Sequence, residues 1–567
     1  MIIIYLIIFI GHGNSQKSNQ NIFKPPLKIP LILSGNFGEI RSNHFHSGVD
    51  FKTNGQSGYS VFAAADGYIV RIKVASGGYG KALYIQHPSG HQTLYGHLSG
   101  FRKDLADYVK NEQYKQERFG VDLYFKPGQF KIKQGDFIAL SGNTGSSQAP
   151  HLHFEIRDSQ THNPVNPLLF NFDIADQRPP KLYSVYLYNL TGRKNLKKPV
   201  KVRLSGDNGI YHPVLDRVYP LDKLSGIGVE TIDFLDNSNN KCGIFEFELR
   251  LDGELVFKSI MDEFSFAESL YINSFIDYRK YIENRTQVIK AFIESNNPLS
   301  IYEFARNRGQ ISLTDQNIHI LDIRIKDVHG NQSKTSLKVK FNPDELEDYV
   351  YSLPYYSAFM GYSEKNSFEE EGIRLEFASN SFYDNLYFAY NSDSIPPKGY
   401  SRIHHLHHPY FPLNKSYTIT IKPDSLPDEL KDEAVIARIN NEGHLSYVGG
   451  TWAGKELRTN SRTFGSFVVA VDTIPPTIQA RNLSNSDPSG VGKKITFTIY
   501  DDFTGIRSFR ATLNGSWILF EYDSKTRTLF HKTDPELFPK GKELELIIRV
   551  TDQVGHLSEY RKMVVRQ

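Results

Sequence analysis

The chain has 567 residues, of which 39% are hydrophobic, 13% aromatic and 23% charged, a composition that excludes a largely disordered or fibrous protein. That length exceeds what one hydrophobic core supports, and at about 100–200 residues per domain it implies about three to five units. Lys and Arg number 66 against 63 Asp and Glu, for a formal net charge of +3. No basic run is interleaved with aromatics, so no nucleic-acid partner is expected. The single cysteine, Cys242, excludes an intramolecular disulfide and a thiolate-rich metal module, so any metal must rest on His and carboxylates.

The chain opens on MIIIYLIIFI, followed by Gly13 and Ser15 before Gln16, which reads as a signal peptide over residues 1–15. The apolar run is shorter than the roughly 18–20 residues needed to cross a bilayer. The expected protein is exported, to the periplasm, cell envelope or medium, with no transmembrane span in the mature chain.

Residues 17–175 carry short alternating runs broken by glycine, such as SVFAAADGYIVRIKV, KALYIQH, QTLYGHL, FIALSG and HLHFEIR, and predict an antiparallel β domain. Within it, about residues 101–135, a stretch free of Gly and Pro up to Gly120 predicts a helical insertion. Downstream, DQRPPKLYSVYL at 176–187 is echoed by VDTIPPTIQARNL at 471–483, and LDIRIKDVHGNQSKTSLKVKF at 321–341 by LIIRVTDQVGHLSEYRKMVV at 546–565. Such repeats predict two copies of an Ig-like β-sandwich module, at 176–343 and 471–567. The first copy carries an extra stretch at about 260–312 with a helical pattern, and 344–470 has strands of its own that suggest a third sandwich. The fold class is therefore mainly β.

Chemistry concentrates near the N-terminal end, where His44, His46, Asp50, His87, His91, His97, His151 and His153 fall in one domain. If HLHFE is a strand, His151 and His153 point to one face and share a cleft. A fully extended HSGVD would hold His46 about 13 Å from Asp50, too far for one ion, so the chain must bend there, as Ser47 and Gly48 permit. Two His and one carboxylate with a position left for water is the pattern of hydrolytic zinc. No H-E-x-x-H helix is present, so a general base is sought among the remaining His.

The run from GNFGEIRSNHFHSGVDF through DGYIVRIKV and HQTLYGHL to GDFIALSGNTGSSQAPHLHFEIRD resembles the lysostaphin-type, or LytM-like, zinc metallopeptidases that act on peptidoglycan. The resemblance covers about residues 30–170. It implies that His46, Asp50 and His153 bind one zinc ion and that His97 and His151 act in catalysis. The substrate it implies is peptidoglycan peptide, at a cross-link or in a stem peptide. Two further readings stay open: a non-catalytic relative that activates another hydrolase, and an endopeptidase acting on proteins. The β-sandwich modules could hold an envelope partner. SSQAP stands before HLHF where relatives often have Gly-Pro, and the insertion is longer than a minimal domain needs.

Other features have structural readings. His44, His87 and His91 are assigned to loop or strand structure, and Gly142-Asn143-Thr144-Gly145 to a tight turn shaping the cleft. Tyr95 lines the site or packs. The cluster His404, His405, His407 and His408, followed by Pro409, predicts an exposed turn.

Overall fold

The computed structural model describes residues 22–192, 197–346, 356–483 and 489–566; the expected signal peptide lies outside them. The chain is mainly β throughout, and no described helix is long and apolar enough to cross a membrane.

The N-terminal unit is built on an antiparallel sheet. In chain order its strands are β1 Leu33–Gly35, β2 Val49–Lys52, β3 Gly67–Val74, β4 Lys81–Gln86, β5 His91–Gly96, β6 Val121–Tyr124 and β7 His151–Asp158. Across the sheet they run β1-β2-β7-β5-β4-β3-β6. Its core gathers Val49, Phe51, Ile69, Ile85, Tyr95, Leu152, Phe154 and Ile156. A three-stranded sheet of Ser60–Phe62, Phe137–Leu140 and Gly100–Phe101 lies beside it.

Only the first half of the expected helical insertion is helical. Helix α1, Lys103–Lys115, buries Leu105, Val109 and Gln113. The second half forms β6, whose V-D-L-Y alternation buries Val121 and Leu123 and pairs with β3. The helical pattern expected within 260–312 is likewise cut short. Ile272–Phe275 and Tyr278–Asn284 are helical, Arg285 takes a left-handed φ of 57° and ends the second helix, and Val288–Lys290 is a strand. The β-branched pair Val288-Ile289 favours a sheet edge over continued helix.

In the first module the strands that matter below are β8 Lys181–Asn189, β9 Leu224–Ile232, β10 His319–Lys326 and β11 Gln332–Phe341. β9 pairs with β8, and β10 with β11. Their counterparts at the C-terminal end are β12 Thr477–Ala480, β13 Lys494–Tyr500, β14 Glu543–Asp552 and β15 Leu557–Arg566. β12 pairs with β13 and β14 with β15, in separate four- and five-stranded sheets. Between the modules two five-stranded sheets enclose a core of Leu375, Phe388, Tyr417, Ile419, Phe464 and Phe467.

The His404 cluster is not an exposed turn. His404 and His405 lie in the strand Ile403–Leu406, and His404 is fully buried. The turn forms only beyond Leu406, so alternation along the strand sends His404 and Leu406 inward while His405 pairs with Asp393 at 2.9 Å.

Packing crosses residue 175 in both directions. Phe37, Ile40 and Phe45 enter the core of the first module beside Phe247 and Phe264, and Leu235 and Cys242 enter the N-terminal core. The C-terminal module also returns to the N-terminal unit: Lys81 pairs with Glu521 at 2.7 Å, Lys110 with Asp534 at 2.6 Å, and Tyr114 meets Trp517 edge-on at 5.1 Å.

Candidate metal centre and its cleft

Strand β7 sits between β2 and β5 in a register that places His153 directly across from Asp50 on one side and from Gly96 on the other. Alternation sends Leu152, Phe154 and Ile156 into the core, which turns His151, His153, Glu155 and Arg157 to the opposite face. Between His46 and Asp50 the backbone leaves β structure and re-enters it at Val49, giving the bend that the spacing demanded. Gly48 lies against β7 so closely that a Cβ there would stand 2.3 Å from the Phe154 carbonyl oxygen. Only glycine allows that approach.

Three buried donor atoms converge. His46 Nε2 is 3.1 Å from both Asp50 Oδ1 and His153 Nδ1, and His153 Nδ1 is 2.8 Å from Asp50 Oδ1. The far nitrogen of each ring is engaged: His46 Nδ1 donates to the Asn36 carbonyl at 2.7 Å, and His153 Nε2 to Glu155 Oε1 at 2.8 Å. Each ring is thereby oriented with its other nitrogen facing the cluster, as metal-ligating His are oriented by acceptors behind them. Asp50 Oδ2 accepts from Arg41 Nη2 at 2.6 Å, leaving Oδ1 inward.

The set fits a small divalent cation. Tetrahedral bonds of about 2.0–2.1 Å put ligand atoms about 3.3 Å apart, and the observed spacings of 2.8–3.1 Å need only a slight expansion. The electrostatics agree. Burial pushes His46 down to about 4. Burial acts the same way on His153, but the hydrogen bonds and charges of Asp50 and Glu155 overcome it and hold the ring up at about 9. Asp50, despite burial, is kept well below the usual carboxylate range by His46, His151 and His153.

His97 and His151 border the same centre. His151 Nδ1 donates to the Ala149 carbonyl at 2.8 Å, while its Nε2 lies 3.3 Å from Asp50 Oδ1 with no hydrogen bond of its own. His97 Nδ1 donates to the Thr144 carbonyl at 2.8 Å, and its ring meets that of His151 edge-on at 4.8 Å. Burial, with His153 and His151 nearby, pushes His97 down to about 3. His97 also sits at a φ of +57°, a left-handed conformation that costs a non-glycine residue energy and is often found at functional sites.

The structure thus brings all five expected site residues together. The other His fall elsewhere: His44 is exposed, and His87 is held by the Asp66 carbonyl and Thr93. Tyr95 packs in the core, its hydroxyl accepting from Ala64 N at 2.8 Å. Residues that sequence reasoning did not single out form the support. Glu155, fully buried, accepts from His153, from Ser47 Oγ at 2.7 Å, from Tyr79 Oη at 2.5 Å and from Arg157 Nε at 2.6 Å. Glu155 was within reach of alternation, two residues beyond His153 on the same face; Asn36, Arg41 and Tyr79 left no local signal.

One rim of the cleft is the loop 142–150. Gly145, at a φ of +73°, sits where a Cβ would lie 2.3 Å from the Gly78 carbonyl oxygen, so the loop docks tightly on the turn after β3. Lys525 of the C-terminal module donates to the Asn143 carbonyl and, at 2.9 Å, to that of Ser147.

Residues 44–114 and 121–167 match peptidase family M23, and residues 357–472 match a Zu5-like domain. The N-terminal unit is therefore an M23 domain of the LytM-like kind, carried on a chain whose other described residues are mainly β. Among curated proteins, an uncharacterized metalloprotease of Haemophilus influenzae is 37% identical over 146 residues, 26% of this chain and 23% of that protein. The DD-carboxypeptidase/endopeptidase Mpg of Neisseria meningitidis is 34% identical over 125 residues, 22% and 23% of the two chains. The peptidoglycan DD-endopeptidase ShyA of Vibrio cholerae is 32% identical over 138 residues, 24% and 25%. The chain thus spans about a quarter of the length of these relatives. Among solved structures, a zinc-containing peptidase from Vibrio cholerae is 27% identical with a TM-score of 0.20, over 27% of this chain and 40% of that one.

Proposed function

We propose that the M23 domain is an active zinc endopeptidase that hydrolyses peptide bonds of peptidoglycan, in a cross-link or a stem peptide. The observation that carries this is the convergence of His46 Nε2, Asp50 Oδ1 and His153 Nδ1 with two further imidazoles beside them. His46, Asp50 and His153 hold one zinc ion, which when bound supplies Lewis acidity and lowers the pKa of water towards neutrality. His151, its Nδ1 committed to Ala149, presents Nε2 as the acceptor for the attacking water's proton. His97, neutral and fixed by Thr144, stands beside it to relay that proton towards the leaving amine. Glu155 and Asn36 keep the two ligand rings from turning.

The substrate reading is supported by relatives named as peptidoglycan endopeptidases. On this reading the protein works outside the cytoplasmic membrane, where peptidoglycan lies, and the β modules are candidates to hold an envelope partner. The test is digestion of purified sacculi by the zinc-loaded chain and by its His151→Ala variant, with released fragments identified by mass spectrometry. New fragments from the parent alone are expected, and they name the bond. Zinc binding at one equivalent with no fragments from either protein would refute the catalytic reading and favour a regulator of another hydrolase.

A further inference from the structure

Away from the M23 centre, three aspartates meet at one point of the first module. Asp176 lies in the segment leading into β8, Asp233 directly follows β9, and Asp327 follows β10 in its turn to β11. One oxygen from each falls within 4.8 Å of the others. Asp233 and Asp327 are 2% and 3% exposed, and the Asp176 side chain is wholly buried. Asp233 Oδ1 and Asp176 Oδ2 are buried with no hydrogen-bond partner. A buried carboxylate oxygen without a partner is costly, and two facing a third carboxylate are more so.

The arrangement recurs. In the C-terminal module Asp472 lies in the segment leading into β12, Asp501 directly follows β13, and Asp552 ends β14 at its turn to β15. These three also offer oxygens within 4.8 Å of one another, and Asp501 Oδ2 is again unpartnered. Each triad draws on the same sequence marks, an Asp three residues before a Pro-Pro pair and an Asp three residues before a turn glycine.

We propose that each triad is a site for a hard divalent cation, Ca2+ by chemistry, that clips the entering linker to the module it leads into. The donors are all oxygen, the choice of Ca2+ and Mg2+ over zinc. Two oxygens bound to one Ca2+ at about 2.3–2.6 Å can lie up to about 5 Å apart, so the triad spans the ion with little movement. The positive groups already present do not neutralise it. In the first site the exposed His329 reaches Asp176 Oδ2 at 3.6 Å, and Asn331 donates to Asp327. In the second, His556 pairs with Asp552 at 2.8 Å and with Glu433 at 3.5 Å. One imidazole stands against three carboxylates in the first site and four in the second.

The first site stands where the M23 domain meets its neighbour, and the second where the Zu5-like region meets the last module. The cation would set both junctions, independently of peptide-bond chemistry. The test is calorimetric titration of the full chain, stripped on chelating resin and given one equivalent of Zn2+, with CaCl2, alongside its thermal midpoint with and without CaCl2. Two equivalents are expected, with Kd of about 10⁻⁴–10⁻³ M as in extracellular modules, and a midpoint that rises with Ca2+. Asp233→Asn should remove one equivalent and Asp501→Asn the other. Because each substitution deletes a like charge, both variants should melt without Ca2+ no earlier than the parent; Asp327→Asn is the second variant for the first site should Asp233→Asn not fold. No Ca2+ heat and no Ca2+ shift in the parent, or two equivalents persisting in the Asp233→Asn, Asp501→Asn chain, would overturn the assignment.

Discussion

Replacing Glu155 by Gln tests how the centre is held. Four donors converge on this carboxylate: His153, Ser47 and Tyr79 on Oε1, and Arg157 on Oε2. A carboxylate accepts all of them, whereas an amide has one oxygen and two N–H groups. With its oxygen in the Oε1 place, Gln turns an NH2 on the Arg157 guanidinium; flipped, it turns NH2 on three donors. The first orientation is better, and it leaves a buried arginine without its anion. Breaking one side of a buried pair costs about 3–5 kcal/mol. Arg157 keeps the faces of Phe266 at 4.6 Å and Tyr84 at 5.6 Å, so the lower end applies. About 3 kcal/mol lowers the midpoint of a domain of 150–250 residues by about 6–12 °C. In that orientation His153 keeps an acceptor, but a neutral amide oxygen replaces the carboxylate, so metal affinity should fall towards the lower end of the about 10–100-fold typical of changes behind a ligating His. Both quantities are read on the full chain, by calorimetry and by competition for Zn2+ with a chromophoric chelator. A variant that melts with the parent would refute the buried Glu155–Arg157 pair as a source of stability, and one that binds Zn2+ as tightly would refute the claim that the Glu155 charge strengthens His153 as a ligand.

Three further outcomes are expected. His97→Ala should leave zinc stoichiometry at one while lowering the rate of sacculus cleavage by about 10²–10⁴-fold, because His97 borders the ligands without being one; loss of zinc would contradict this. Burial pushes His404 down to about 4, so between pH 4 and 6.5 its ring binds fewer protons in the fold than in the unfolded chain. Its stabilisation is full above pH 6.5 and is lost as pH falls towards 4, on the order of 3 kcal/mol; thermal melts at pH 7 and pH 4.5 on the parent and a His404→Gln variant should diverge accordingly. Lys525→Glu removes the donors to Asn143 and Ser147 and should speed hydrogen exchange across 143–149, with unchanged exchange refuting the docking.

Much of the centre was legible because strand geometry is local. H-L-H-F-E alternates, so two imidazoles on one face followed from the pleat alone, and the H-S-G-V-D spacing demanded the bend that Gly48 supplies. The D-x-x-P-P and D-x-x-G marks likewise sit at corresponding places, each ahead of or between paired strands. Long-range support was not legible. The Asn36 side chain is clasped by Gly243, donating to its carbonyl at 2.8 Å and accepting from its N–H at 2.7 Å across 207 residues, and the Asn36 carbonyl in turn holds His46. No window of sequence contains that chain of contacts. The His404 cluster misled for a related reason: Pro409 marks a turn, but it comes after the strand and says nothing of what the strand buries.

The contact between Lys81 and Glu521 joins residues 440 apart. At about 5–20 residues per second, about 20–90 s of synthesis separate the two partners. The M23 domain emerges first and must wait through that interval with the rim at 142–150 bare of Lys525. A chain cut short by a stalled ribosome or a protease would keep His46, Asp50, His97, His151, His153 and the rim itself but lose the Lys525 brace on that rim, so truncated and full-length forms would share one centre and differ in how firmly its edge is held.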